Sequence, residues 1–110
     1  MPFIRRTRQG RYIIIGDILF NLRRYEEALA ACEQAIGLDP KNAIAYINKG
    51  AALAELKRYE EALVACEQAI GLDPRVPLAY KNKGYALKRL NREQEAQQAF
   101  AKARELRYKG

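Results

Sequence analysis

Histidine, serine and tryptophan are absent from the 110 residues, and threonine occurs once, as Thr7. A serine nucleophile or an imidazole base therefore has no residue to supply it, and the conventional hydrolase triads are excluded. Valine is nearly missing: 2 Val stand against 18 Ala, 12 Leu and 9 Ile, a balance that favours helix over sheet. Cysteine occurs only as Cys32 and Cys66, with no CxxC and no histidine from which to build a zinc site. Each lies in the apolar stretch ACEQAI, the setting of a buried, reduced thiol in a cytosolic protein. Long apolar runs are lacking too. The run that follows the basic start is interrupted by Asp17 and precedes no small-residue cleavage site, so the expectation is a soluble, cytoplasmic protein without a membrane partner. No glycine-rich phosphate loop, metal-ligand cluster or nucleophile–base pair is found, which argues against an enzyme and for neither cofactor nor metal.

The residues present have the composition of one globular domain. Their net charge of +7 is uneven: residues 1–12 carry four Arg and no acid, 13–74 six basic and ten acidic groups, and 75–110 ten basic and three acidic. Basic ends around an acidic middle would attract acidic peptide or nucleic acid, but no nucleic-acid motif accompanies them.

Comparing the chain with itself reveals its organisation. Residues 23–40, RRYEEALAACEQAIGLDP, match 57–74 at 16 of 18 positions, and 43–56 match 77–90 at 8 of 14, both at an offset of 34. The chain divides into a basic leader, 1–8, and frames 9–42, 43–76 and 77–110, so that it ends with a complete frame at Gly110. Each frame holds two helical patterns separated by a short polar turn (Lys57-Arg58; Asn91-Arg92), and Leu-Asp-Pro closes the first two. Pro77 sits in a first turn, where its missing N–H costs nothing. Glu26, Glu27, Glu60 and Glu61 begin the second helices, where negative charge meets the positive end of the helix dipole. On the first helix of the middle frame, Tyr46, Gly50 and Leu53 share a face, and small Gly50 and Ala62 let two backbones approach closely.

These residues resemble the tetratricopeptide repeat family, whose 34-residue helix-turn-helix places large, small and proline positions at fixed offsets. The middle frame matches through Tyr46, Gly50, Leu53, Ala62, Cys66, Ala69 and Pro74. The first matches through Tyr12, Gly16, Leu19, Ala28, Cys32, Ala35 and Pro40, and the third through Tyr80, Gly84, Leu87, Ala96, Phe100 and Ala103. Departures are mild: Tyr replaces Trp, Leu the second aromatic, and Ile15, Lys49 and Lys83 the Leu before the glycine. The resemblance implies an all-α fold, a right-handed α-α superhelix made as a solenoid of three antiparallel helix pairs.

Both ends of such an array carry a signal. Leu29 and Leu63 correspond to Gln97, and Ile36 and Ile70 to Arg104, which suggests that the final helix is its own polar cap. At the front, Ile13, Ile14 and Ile15 stand on a first helix with no earlier repeat to cover it. The covers open to such a patch are the leader with Phe3 and Ile4, upstream sequence, or a second copy, of which an isologous homo-oligomer through this helix is favoured.

Family members hold an extended peptide in the concave groove of their first helices, and a step of about 100° per residue traces the corresponding row here. It runs through Gly10, Ile14, Asp17 and Asn21 in the first frame, Ile44, Asn48, Ala51 and Glu55 in the second, and Leu78, Asn82, Tyr85 and Arg89 in the third. Asn48 and Asn82 stand at one offset, and their amides can both donate to and accept from a peptide backbone. Lys81, Lys88 and Arg89 with Tyr85 suit an acidic group or a carboxylate, and Ile13, Ile14 and Phe20 an apolar anchor. Relatives that grip chaperone tails use Lys and Asn on the first helix, Asn in the second repeat, and Lys and Arg in the third. Those places hold Ile13 and Asp17, Asn48, and Leu78 and Asn82; only Asn48 meets the pattern, which argues against a chaperone-tail clamp. The expected function is a non-enzymatic scaffold for a peptide or partner protein, with self-association as the alternative and nucleic-acid binding behind both.

Overall fold

The computed structural model describes residues 7–109, as six α-helices: α1 (Arg8–Asn21), α2 (Tyr25–Leu38), α3 (Ala43–Glu55), α4 (Tyr59–Leu72), α5 (Pro77–Arg89) and α6 (Glu93–Lys109). The leader expected over 1–8 falls largely on residues 1–6, which lie outside the described residues. Thr7 caps α1, its hydroxyl oxygen accepting from the Gly10 N–H at 2.8 Å. Asn42 does the same for α3, its Oδ1 accepting from the N–H groups of Ile44 and Ala45. Pro77 occupies the first turn of α5, where no N–H is needed.

Within each pair the turn repeats one geometry. Arg23, Lys57 and Asn91 adopt left-handed φ angles of 62°, 63° and 63°, reversing the chain at a single residue. The next residue, Arg24, Arg58 or Arg92, lays its guanidinium on Glu27, Glu61 or Glu95 one turn into the following helix, with both Arg58 contacts at 2.8 Å. Residues three apart on a helix are neighbours, so this pairing is purely local. Between pairs, Asp39 and Asp73 accept from the backbone N–H groups of Lys41 and Arg75, each at 3.1 Å, and hold the turn that Pro40 and Pro74 impose. The hydroxyls of Tyr46 and Tyr80 donate to the carbonyls of Pro40 and Pro74, which locks each turn onto the next first helix.

Stacking follows from small side chains. The core runs through Ala28, Ala62 and Ala96, Ala52 and Ala86, and the fully buried Leu53 and Leu87. Each second helix packs on the next first helix, α2 on α3 and α4 on α5. Lys49 of α3 reaches Glu33 of α2 at 3.7 Å, and Lys83 of α5 reaches Glu67 of α4 at 3.5 Å. The lysines that depart from the family's Leu are thus ion-paired at the stacking interface. First helices also touch one another, α1 with α3 and α3 with α5, whereas the second helices do not among the described residues. The first helices therefore form the inner, concave wall of a superhelical stack.

Two expectations about this stack need correction. Gly10, placed on the concave row by the helical period, is buried. At the front, Ile13 and Ile14 are only half exposed; the bare apolar residues are Ile15 at 44%, Ile18 at 53% and Leu22 at 58%. One period on, Ile15 and Ile18 correspond to Lys49 and Ala52, the flank of α3 that lies against α2, where Ala52 is 0% exposed. The uncovered surface of α1 is the stacking flank and not the row beside it. At the far end Gln97 and Arg104 are exposed, and an open cleft lies between α5 and α6.

Candidate functional site

Two cavities lie along the concave wall. The first, about 370 Å³, is walled by Asp17, Phe20, Asn21, Asn48, Ala51, Leu78 and Asn82 over a floor that includes Ala28, Cys32 and Ile47. Phe20, Ala54, Glu55, Lys81, Tyr85 and Phe100 enclose the second, about 330 Å³, together with Ala51 and Asn82. Phe20, Ala51 and Asn82 border both, so the two form one groove crossing α1, α3 and α5. Small residues make it: Gly16 and Ala28 keep the first helix pair close, and Ala51 leaves open the space that larger residues would fill.

Of the residues expected on the row, Asp17, Asn48, Ala51, Glu55, Leu78, Lys81, Asn82 and Tyr85 line this groove. Ile13, Ile14, Ile44, Lys88 and Arg89 border neither cavity. Arg89 instead lies over the Tyr59 ring, 5.3 Å from its centroid, and Tyr85 meets the same ring edge-on at 6.3 Å. Both arrangements are attractive, the cation through the negative ring face and the second ring through its positive edge. Tyr59, at the start of α4, is thereby the support for the third-repeat end of the row. Sequence reasoning missed Ile47, Ala54 and Phe100. Ile47 follows the signature Tyr46 and reads as core, and indeed it is buried with Ala69 and Ala79. Phe100 is the one residue with a legible signal, since it stands where the other repeats have Cys32 and Cys66.

Polarity within the groove is graded. The Asn48 amide donates to the Asp17 carboxylate at 3.1 Å, joining α1 to α3. Burial raises the Asp17 pKa above the ordinary aspartate value, because the charged form loses solvation. Asn82 stands one period after Asn48, but Ala51 takes the place of Asp17, so among the described residues its amide has no hydrogen-bond partner. Both its donor and its acceptor are left for a ligand. Beside it Lys81 adds a cation and Phe20, Tyr85 and Phe100 add aromatic surface. Such a groove offers amide hydrogen bonds, a counter-ion for a carboxylate and apolar pockets, which is equipment for holding a chain.

Burial pushes the Cys32 thiol up to about 11, helped by Asp17 and Glu33, and the Cys66 thiol up to about 12. Neither is a thiolate near neutrality, and the thiolate is the reactive form. Among the described residues no group of three or more His, Cys, Asp and Glu could hold a metal ion, and no helix is long and apolar enough to cross a membrane.

Known proteins share this architecture. Residues 15–77 and 78–109 each match a family model described as tetratricopeptide repeat. The second TPR of Spaghetti (RPAP3), solved bound to the HSP90 peptide SRMEEVD, is 30% identical; the match covers 91% of this chain and 93% of that one at a TM-score of 0.88. The Arabidopsis OM64 TPR domain is 27% identical over 93% of this chain and 84% of its own, with a TM-score of 0.89. The TPR2B domain of yeast Sti1, in a complex with an Hsp70 peptide, is 28% identical over 89% and 78%, at 0.87. No curated protein sequence matches significantly.

Proposed function

The chain belongs to the tetratricopeptide repeat family, and from that premise we propose that it is a non-enzymatic interaction scaffold holding an extended peptide, or an extended segment of a partner protein, along α1, α3 and α5. The observation that carries this reading is the continuity of the groove through Phe20, Ala51 and Asn82. Asn82 meets the ligand backbone, Lys81 an acidic side chain or a terminal carboxylate, and the aromatic residues an apolar side chain. Relatives solved with HSP90 and Hsp70 peptides support a peptide as ligand. Of the places that grip a chaperone tail in such relatives this chain keeps Asn48 alone, and there Asn48 is bonded to Asp17. Its preferred peptide accordingly differs from theirs.

An array of decapeptides with free and with amidated C-termini, screened against the intact chain, tests the reading. Binders should compete with one another and lose about tenfold in affinity when Asn48, Lys81 and Asn82 are replaced together by Ala. Helicity by circular dichroism should be unchanged. Unaltered affinity in that variant would reject the groove.

Self-association is the second reading, and the bare Ile15, Ile18 and Leu22 favour it, since contiguous apolar surface commonly marks a contact. An isologous contact would cover them on both copies. Light scattering at high micromolar concentration should then show a dimer that Ile18→Lys dissociates; a monomer there would sink the idea.

A further inference from the structure

The cleft at the far end of the stack is a second recess, adjoining the groove at Leu78, Lys81 and Phe100. Leu78 and Lys81 of α5 with Phe100, Ala103, Arg104 and Arg107 of α6 enclose about 540 Å³ of open space. Its position defines the shape of its occupant. The corresponding space beside α1 and α2 is taken by α3, and that beside α3 and α4 by α5. The cleft beside α5 and α6 is therefore a seat for a helix, one repeat further on.

Its charge is the reverse of the internal seats. Glu33 and Glu67 receive Lys49 and Lys83 of the incoming helices, and Asp39 and Asp73 follow the ends of α2 and α4. One period later the glutamate position is Ala101, the aspartate position is Arg107, and the position of Ile36 and Ile70 is Arg104. Among the described residues neither arginine has a carboxylate within ion-pair distance; the acid nearest in sequence, Glu105, pairs with Lys102 at 3.6 Å. Lys81 adds a third cation at the rim. A floor of Leu78, Phe100 and Ala103 with cationic walls selects an occupant that is apolar on one side and acidic beside it.

A further copy stacked head to tail does not meet that description. Its α1 would present Arg8 and Arg11 to Arg104 and Arg107, with Ile15 where the internal seats receive a lysine. We propose that the cleft between α5 and α6 docks an amphipathic α-helix of a partner protein, its apolar stripe on Phe100 and Ala103 and its acidic flank on Arg104 and Arg107. The seat borders the groove at Leu78, Lys81 and Phe100 and is set apart from it by Ala103, Arg104 and Arg107.

Two peptides held helical by a hydrocarbon staple on the outer face serve as probes. One has the sequence of residues 77–89, PLAYKNKGYALKR, which already fits an internal seat; the other carries Glu at its four basic positions. Fluorescence polarisation with the intact chain should find the acidic peptide bound about tenfold more tightly than the basic one, by a margin that shrinks with salt. Arg104→Glu with Arg107→Glu should reverse the order, and Arg104→Gln with Arg107→Gln should level it, should the double reversal unfold. Equal affinities in the unaltered chain, no binding of the acidic peptide, or binding indifferent to both double variants would each overturn the proposal. Preference for the basic peptide would do so too, and would point to stacking of copies. Arg104 and Arg107 line neither groove cavity, so failure here leaves the groove reading standing.

Discussion

The carboxamide of Asn48 donates to the carboxylate of Asp17 across 3.1 Å, linking α1 and α3 in the wall of the groove. The same offset in the next repeat joins nothing, because Ala51 stands in the place of Asp17 and Asn82 faces the cavity with its amide unused. One repeat thus commits its asparagine to internal structure while the next keeps it for a ligand.

The position of Asp17 bears on the acid response. Hydrogen bonds from Arg24, Arg58 and Arg92 lower the pKa values of Glu27, Glu61 and Glu95, so their contribution is whole above the ordinary glutamate range and is lost as pH falls through the lowered values. Asp17 runs the other way, since burial raises its pKa and taking up a proton there favours the folded chain. Urea midpoints measured from pH 7 down to pH 3 should fall, and should fall more steeply in Asp17→Asn, which has lost the opposing contribution. Superimposable profiles would contradict the assignment.

The signature glycines are not equivalent. A Cβ at Gly50 would stand 2.9 Å from Cys66 Sγ, and at Gly84 2.7 Å from the Phe100 ring, whereas at Gly16 the nearest atom, Ala31 Cβ, is 3.5 Å away. Gly16→Ala should therefore gain roughly 0.5–1 kcal/mol from helix propensity alone. In Gly50→Ala and Gly84→Ala overpacking of about 1–3 kcal/mol outweighs that gain. Thermal unfolding should show shifts of opposite sign, roughly 4 °C for each kcal/mol.

Left-handed turn residues provide a third test. Lys57 and Asn91 share a φ of 63°. The lysine side chain is ill suited to that conformation, whereas asparagine tolerates it. Lys57→Asn should stabilise by about 0.5 kcal/mol, and Asn91→Val should destabilise by about 1–2 kcal/mol. Urea titrations of the two variants decide this, and a neutral Asn91→Val would count against a strained turn.

Thiol reactivity tests the closeness of packing under Gly16 and Gly50. Both cysteines, with pKa values of about 11 and about 12, should resist an aromatic disulfide reagent at pH 8 in the folded chain and react fully in urea. Rapid native labelling of Cys66 would mean that α3 and α4 part readily.

Much of the molecule could be read along the chain. The individual helices, the arginine-to-glutamate turns and the Asp-Pro breaks all rest on contacts between residues no more than four apart, and such contacts recur wherever the 34-residue pattern recurs. The concave row was legible as far as one helix determines it. Asn48, Ala51, Asn82 and Tyr85 line the groove as the helical period requires, while Arg89 does not, because Tyr59 of a neighbouring repeat takes its guanidinium.

The sequence by itself determined the class of fold, the repeat length and the family, because periodicity and turn chemistry are local and are printed three times over. Only the tertiary structure decided which flanks are covered. Ile47 and Asn48 are neighbours in the chain, yet one is buried among Ala69 and Ala79 and the other borders the groove. Ile15 and Ile18 are bare where Ala52 is sealed, and Arg104 walls an open cleft where Ile70 packs against the cluster of Ile47, Ala69 and Ala79. The physical reason is that each of these outcomes depends on the rotation of one repeat against the next, and on whether a next repeat is there, and no single helical period contains either.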